Sequence, residues 1–296
     1  MMAQLQLQLD LVRGHAGSTM PVAHAASVAP MAAEFGVQGI PAVMHKSLHW
    51  RLSAAVMALW FSKPARVMSA AEKQDGSQGA TFPTAFVATR LFTMQWLLSF
   101  QRTEAGLQPL TSTLNTANAR KVLASISKAL PDGAGSAGSL SVANLHAQRQ
   151  VQFVQIGYAG EMDDLSGSLG KFGLYAAMLD WKVTGALAPG QRQLQISRVG
   201  IDMRDTFDFI GGQYLGHSNR QGMGMVAGTM VAGSVVAGSV VAETEWHLPA
   251  WNPSMGWMTP INNGDFNAWR TRHKAGGDLL LFSDVMLHPV DIRLPL

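Results

Sequence analysis

The sequence predicts an α+β protein in which a helical N-terminal part is followed by a mostly antiparallel β-sheet domain with a short helix near the C-terminus. Three observations carry that expectation. The apolar residues recur with a helical period between about residues 41 and 130 and with a strand-like one beyond 140. A Pro/Gly/Ser run, Pro131-Asp-Gly-Ala-Gly-Ser-Ala-Gly-Ser139, stands between the two. The charge also changes sign there: residues 1–130 carry eleven Lys and Arg against five Asp and Glu, residues 131–296 eleven against fourteen. The expected division is therefore 1–40 (N-terminal strand and flexible linker), 41–130 (helical region) and 140–296 (α+β domain).

At the front, Gln4–Leu11 alternates strictly, with Leu5, Leu7, Leu9 and Leu11 on one face, the pattern of a half-buried strand. Gly14–Gly39 is rich in Ala, Gly, Pro and Ser and reads as a loosely held arm. From Pro41, the stripe Val43, Leu48, Leu52, Val56, Leu59 and Trp60 predicts a helix that Pro64 ends. Residues 70–81 read as a polar loop. Two further helices are expected over Thr84–Thr103 and Thr111–Ala129, turning Phe86, Leu91, Met94, Leu98, Leu114, Val122 and Ile126 toward one core.

Beyond the Pro/Gly/Ser run, Val151–Gly157, Phe172–Ala188 and Gln193–Met203 read as strands, the last two joined by Ala188-Pro-Gly-Gln191, which suits a type II turn. Asp265–Lys274 reads as a short helix, with acid at its start and Arg270, Arg272 and Lys274 near its end, as the helix dipole prefers. Gly276-Gly277 stops it, and Leu279–Phe282 is a buried strand. A five-residue Val-Ala-Gly repeat fills most of Gly222–Ala242. It carries no charge and is long enough to cross a bilayer as a helix. Recurrent glycines weaken such a helix by roughly 1 kcal/mol each, and an odd period moves the apolar face at every copy of a strand. A sheet-plus-loop insertion is expected, with membrane contact through this segment as the alternative.

Composition excludes several classes. There is no cysteine, so disulfides, thiolate zinc sites and thiol catalysis are out. No Lys/Arg-rich run and no nucleic-acid motif is present, so no nucleic-acid partner is expected. Met1–Leu11 lacks the basic start and continuous apolar core of a secretory leader. The chain is expected in the cytoplasm of its producer, leaving, if it leaves, by a route without a cleaved leader. No phosphate loop, dinucleotide fingerprint or Gly-x-Ser-x-Gly elbow is present, and no cofactor is assigned.

The densest polar cluster is Asp202-Met-Arg204-Asp205-Thr-Phe-Asp208, at the end of a predicted strand, followed by Gly211-Gly212, His217 and Arg220. Carboxylates beside a histidine and an arginine offer base, acid and phosphate clamp. Asp205 or Asp208 is the candidate general base, His217 the general acid, Arg204 or Arg220 the anion holder, and Asp202 with Asp208 the candidate metal ligands. A solvated strand end with local Arg–Asp pairing accounts for the same residues. His45 and His49 have the i, i+4 spacing of a helical metal pair, yet Lys46 stands where a metalloprotease has Glu, and surface histidines explain them equally. Glu161-Met-Asp163-Asp164 reads as a helix start or a loop.

Two resemblances follow from these strings. Asp205-Thr-Phe-Asp208 resembles the Asp-x-aromatic-Asp signature of colicin M-type bacteriocins, which cleave lipid-linked peptidoglycan precursors; there a His-Arg pair follows sooner than His217 and Arg220 do here. Much longer is a second likeness. Ile40–Met44, Trp50 and Trp60-Phe61, then Leu169–Leu174, Arg198–Phe209, Leu215-Gly216, Phe266–Arg270 with His273, Gly276–Leu279 and Phe282–Asp284 together resemble domain-of-unknown-function family 6402, over roughly residues 38–290. His217-Ser218 departs from the aromatic that usually follows Leu-Gly, and the Val-Ala-Gly repeat is a second departure. The resemblance implies a bacterial protein encoded beside type VI secretion genes, hence a secreted antibacterial effector or an accessory to one. Its implied partners are the secretion apparatus or an immunity protein. An envelope hydrolase and a non-catalytic adaptor are the alternatives.

Overall fold

Two long strands organise the molecule, and each shares its outer edge between two shorter ones. The computed structural model describes residues 36–74, 82–157, 161–185, 192–211, 214–219, 223–224, 250–252 and 256–296. The expected front strand, most of the 14–39 arm and of the 70–81 loop, the Ala188–Gln191 turn, Arg220 and nearly all of the Val-Ala-Gly repeat lie outside those residues. Nine helices are described: α1 Ile40–Lys46, α2 Arg51–Ser62, α3 Ala70–Gln74, α4 Met94–Leu97, α5 Gln101–Ser112, α6 Ala117–Ser127, α7 Val142–Arg149, α8 Asp164–Ser168 and α9 Asn263–His273. The strands are β1 Val87–Phe92, β2 Gly133–Ser136, β3 Gln150–Ile156, β4 Phe172–Thr184, β5 Gln193–Phe207, β6 Tyr214–Ser218, β7 Met223–Gly224, β8 Ala250–Asn252, β9 Gly256–Asn262, β10 Leu279–Ser283 and β11 Met286–Pro295.

β4 and β5 form a long antiparallel pair at the centre of a seven-stranded sheet. Along the outer edge of β4, β3 covers residues 172–177 and β2 covers 180–183. Along the outer edge of β5, β11 covers 193–201 and β10 covers 204–207, with β1 beyond β10. β7, β6, β9 and β8 make a second, four-stranded sheet. α5 packs on the face carrying Leu174 and Ile156, approaching so closely that a Cβ on Gly106 would stand 2.3 Å from Ile156 Cδ1. α7 covers the opposite face through His146, whose ring meets Tyr175 edge-on at 4.5 Å. One apolar core draws residues from Val37 to Leu294, including both sides of the 131–139 segment.

The α+β class stands, but the arrangement is corrected in two respects. Helices are not confined to the N-terminal part: α7, α8 and α9 follow residue 140, and the front half supplies a strand. Because that strand, β1, runs parallel to β10, the sheet is mixed rather than antiparallel. Val87-Ala-Thr-Arg-Leu-Phe92 is rich in strand formers, and pairing with the fully buried β10 outweighs the helical spacing of Phe86, Leu91 and Met94. α5 instead runs through Gly106 and Pro109, across the gap between the helices expected over Thr84–Thr103 and Thr111–Ala129. The long helix from Pro41 to Pro64 is two helices, parted where His49 takes a left-handed φ of 59°. The Pro/Gly/Ser run contains β2: Gly135 has no side chain, so the Trp181 ring of β4 lies across it, where a Cβ would stand 2.5 Å from Trp181 Cζ2.

Candidate functional site

The N-terminal helices are fastened to the sheet by carboxylates distant in sequence. Asp164, in the first turn of α8, accepts from Leu52 N at 3.0 Å and Ser53 N at 2.7 Å, satisfying the open backbone donors of α2. Its neighbour Asp163 caps α8 itself and takes Arg102 through two bonds of 2.7 and 2.6 Å. The helix-start reading of Glu161–Asp164 is thus the structural one, and here it reaches across more than a hundred residues of chain. At the other end of α2, Asp278 accepts from Trp60 Nε1 at 3.1 Å and Met68 N at 2.8 Å and pairs with Arg270. The Arg270 guanidinium lies 5.0 Å from the Trp60 ring centre. Gly276, at φ 92°, lets the chain pass the Trp60 ring, and Phe209 stacks on Phe266 at 3.8 Å. Burial pushes the Asp278 carboxyl above its ordinary range, against the pull of Arg270.

A second polar cluster lies on the α7 face of the sheet. Strand register sets it out in rows: Phe153 opposite Tyr175 and Tyr175 opposite Asp202; Gln155 opposite Gly173 and Gly173 opposite Arg204. His146 comes down on these rows from α7, with Nδ1 3.9 Å from Asp202 Oδ2, too far for a hydrogen bond. His146 and Asp202 are buried, and neither ring nitrogen nor either carboxylate oxygen has a hydrogen-bond partner. Burial disfavours charge on both. It pushes Asp202 up to about 8, Arg204 pulling the other way, and takes His146 down to about 3, with the Arg204 cation adding to the fall. Near neutrality the pair is uncharged.

Arg204 opens from this cluster onto a polar pocket of about 230 Å³. Lys73 from α3, Lys171 ahead of β4, and Arg204, Asp205 and Thr206 of β5 line it, with Phe153, Gln155 and Tyr175 on the β3 side. Lys73 Nζ is 2.6 Å from Asp208 Oδ1. Lys171 makes no ion pair or hydrogen bond with the described residues. Arg204 is 8% exposed; its Nε has no partner and one terminal nitrogen reaches the Lys73 carbonyl at 3.5 Å. Burial holds the Asp205 carboxyl well above the usual range, and neighbouring Asp208 adds to this while Arg204 and Lys73 oppose it. The result is a cationic recess beside a strand whose Asp205 carboxyl has a raised pKa.

Of the site residues expected from sequence, Arg204 and Asp205 line this pocket, and Asp208 joins it through Lys73. Asp202 sits behind, against His146. His217 lies elsewhere in the fold: it is buried in β6 of the four-stranded sheet, opposite Pro260 and Gly224. Among the described residues, no three His, Asp or Glu side chains converge as a metal centre would need. His45 is exposed at the end of α1, and His49 is exposed beyond it, so the two do not share a helix face. Sequence reading missed Lys73, Lys171, Phe153, Tyr175 and His146. Only strand register and the docking of α7 bring them together, and no local spacing signals either.

A mixed sheet with α5 and α7 on opposite faces, a long-range carboxylate anchor and a cationic pocket thus define the class of molecule. The chain belongs to a family of unknown function, DUF6402, whose model matches residues 35–295. No curated protein and no solved structure matches it. The matched span takes in both sites: Trp60, Phe266, Arg270, Gly276 and Asp278 build the anchor, while Lys171, Arg204 and Asp205 line the pocket.

Proposed function

We propose that this chain is a bacterial antibacterial effector, or an accessory to one, linked to type VI secretion, and that it acts on an anionic envelope component through the Lys73–Lys171–Arg204 pocket. The convergence of three cations on one recess carries the reading. Cations there hold phosphoryl oxygens, Arg204 with directional donors and the lysines as point charges. Phosphodiester hydrolysis fits this set. Water attacks phosphorus and gives its proton to Asp208, the bond to the leaving oxygen breaks, and Asp208 passes that proton on to it. Delivery, the producer's cytoplasm as starting point and an immunity or secretion-apparatus partner belong to the same proposal, supported by the family resemblance.

Expressing the chain separately in the cytoplasm and the periplasm of a susceptible bacterium tests it. Viability should fall in one compartment, and Lys171→Gln combined with Asp208→Asn should restore it. Folded variants with undiminished toxicity, His217→Ala included, would move the weight to a non-catalytic adaptor. No loss of viability in either compartment would remove the toxin reading.

A further inference from the structure

The lip of the pocket adds a second chemistry to its cations. Phe153 and Tyr175, cross-strand neighbours on β3 and β4, stack with ring centres 5.5 Å apart and planes 21° from parallel. Phe153 is nevertheless 55% exposed, so its other side faces solvent as a flat apolar platform. One row on, Gly173 keeps the floor low. A Cβ there would stand 2.4 Å from Tyr175 Cε2, so the tyrosine ring leans over the glycine and the space beside Arg204 stays open. Gln155 shares the Gly173 row and presents an amide that both donates and accepts. Lys171, which makes no ion pair or hydrogen bond among the described residues, and Arg204 lie at the pocket's charged end.

We infer that the pocket takes a phosphate carried on a flat ring, a nucleoside phosphate being the simplest case. The phosphate sits against Lys171 and Arg204, with Lys73 behind, and the base lies on the free side of Phe153. A recess of about 230 Å³ accommodates a phosphate and part of a sugar, leaving the base on the platform outside. Aromatic stacking supplies the ring contact without base specificity, and Gln155 is placed to meet a base edge. The inference rests on the anion-binding part of the proposed function and not on cleavage or delivery.

Titration calorimetry of the full chain at low, fixed salt tests it with AMP, UMP, ribose 5-phosphate and adenosine. Both nucleotides should bind about tenfold more tightly than ribose 5-phosphate, the increment expected of one stacked base. Adenosine should bind more weakly than AMP. Phe153→Ala should erase the advantage of AMP over ribose 5-phosphate and leave the latter unchanged. Lys171→Gln should weaken AMP and ribose 5-phosphate by the same factor. Both positions are exposed, so neither change threatens the fold. Equal affinities for AMP and ribose 5-phosphate in the parent chain would overturn the ring inference while leaving the anion pocket intact. Failure of every phosphate to bind would overturn both.

Discussion

Asp278→Ala should be among the most damaging single changes in the chain. The carboxylate is fully buried and serves three donors: Trp60 Nε1, Met68 N and the Arg270 guanidinium. Removing it leaves Arg270 as a buried cation with no counter-charge, and its Nε and one terminal nitrogen already lack partners. Breaking one half of a buried pair typically costs about 3–5 kcal/mol, and each orphaned neutral donor about 1 kcal/mol more. These losses overlap, so about 4–5 kcal/mol in total is expected, a large share of the roughly 5–15 kcal/mol that holds a typical domain. Urea unfolding followed by tryptophan fluorescence reads it directly: with a slope of about 2–3 kcal/mol per molar, the midpoint falls by about 2 M. Asp278→Asn combined with Arg270→Met removes both charges and should recover part of the loss. A loss below about 1 kcal/mol for Asp278→Ala, or a double variant as unstable as the two single changes summed, would refute the account of this carboxylate as the paired anchor of α2.

Asp202 and His146 predict a pH signature. The folded pKa of Asp202, about 8 against 3.8, means the folded state holds the extra proton, so stability falls as pH climbs between those values. His146, at about 3 against 6.5, is neutral in the folded state, so its contribution rises with pH up to 6.5 and then levels off. The two slopes oppose each other between 3.8 and 6.5, and only that of Asp202 persists from 6.5 to 8. Asp202→Asn should therefore flatten the stability profile in that upper window, and superimposable profiles of variant and parent would contradict the assignment. Gly276→Ala meets both a φ of 92° and a Trp60 ring carbon 2.4 Å from the new Cβ. It should cost about 2–5 kcal/mol and lower the melting temperature by several degrees, and an unchanged melt would show that the Trp60 ring yields freely.

Much of the sheet was legible because its central strands are long and apolar. Phe172–Ala188 and Gln193–Met203 announce themselves by composition, and the strands found are Phe172–Thr184 and Gln193–Phe207; Leu279–Phe282 does so too, within a strand buried at every position. The strands that escaped do so for physical reasons. β2 is Gly-Ala-Gly-Ser, a composition that normally marks a linker, and is ordered by Trp181 lying across Gly135. β11 contains Pro289 and Pro295; it tolerates them on β5's outer edge, with its register broken between Pro289 and Ile292. β1 exists because β10 offers it a partner, information held almost two hundred residues away. The site divides in the same way. Density alone picks out Arg204, Asp205 and Asp208, whereas Phe153 and Tyr175 gain meaning only once β3 and β4 are in register. His217 belongs to β6 of the other sheet, which the chain enters between residues 208 and 217.

The bond from Trp60 to Asp278 spans 218 positions, and that from Met68 spans 210. On the ribosome, where about 5–20 residues emerge each second, the second helix must wait on the order of 10–40 s for its anchor to be made. Until then the indole N–H of Trp60 donates to water and the ring carries its apolar surface in water. The seating of the second helix is therefore a late event, completed only once the segment carrying Asp278 has emerged. In that interval the apolar side of the second helix is exposed without its anchor, which is when a holding chaperone would find it.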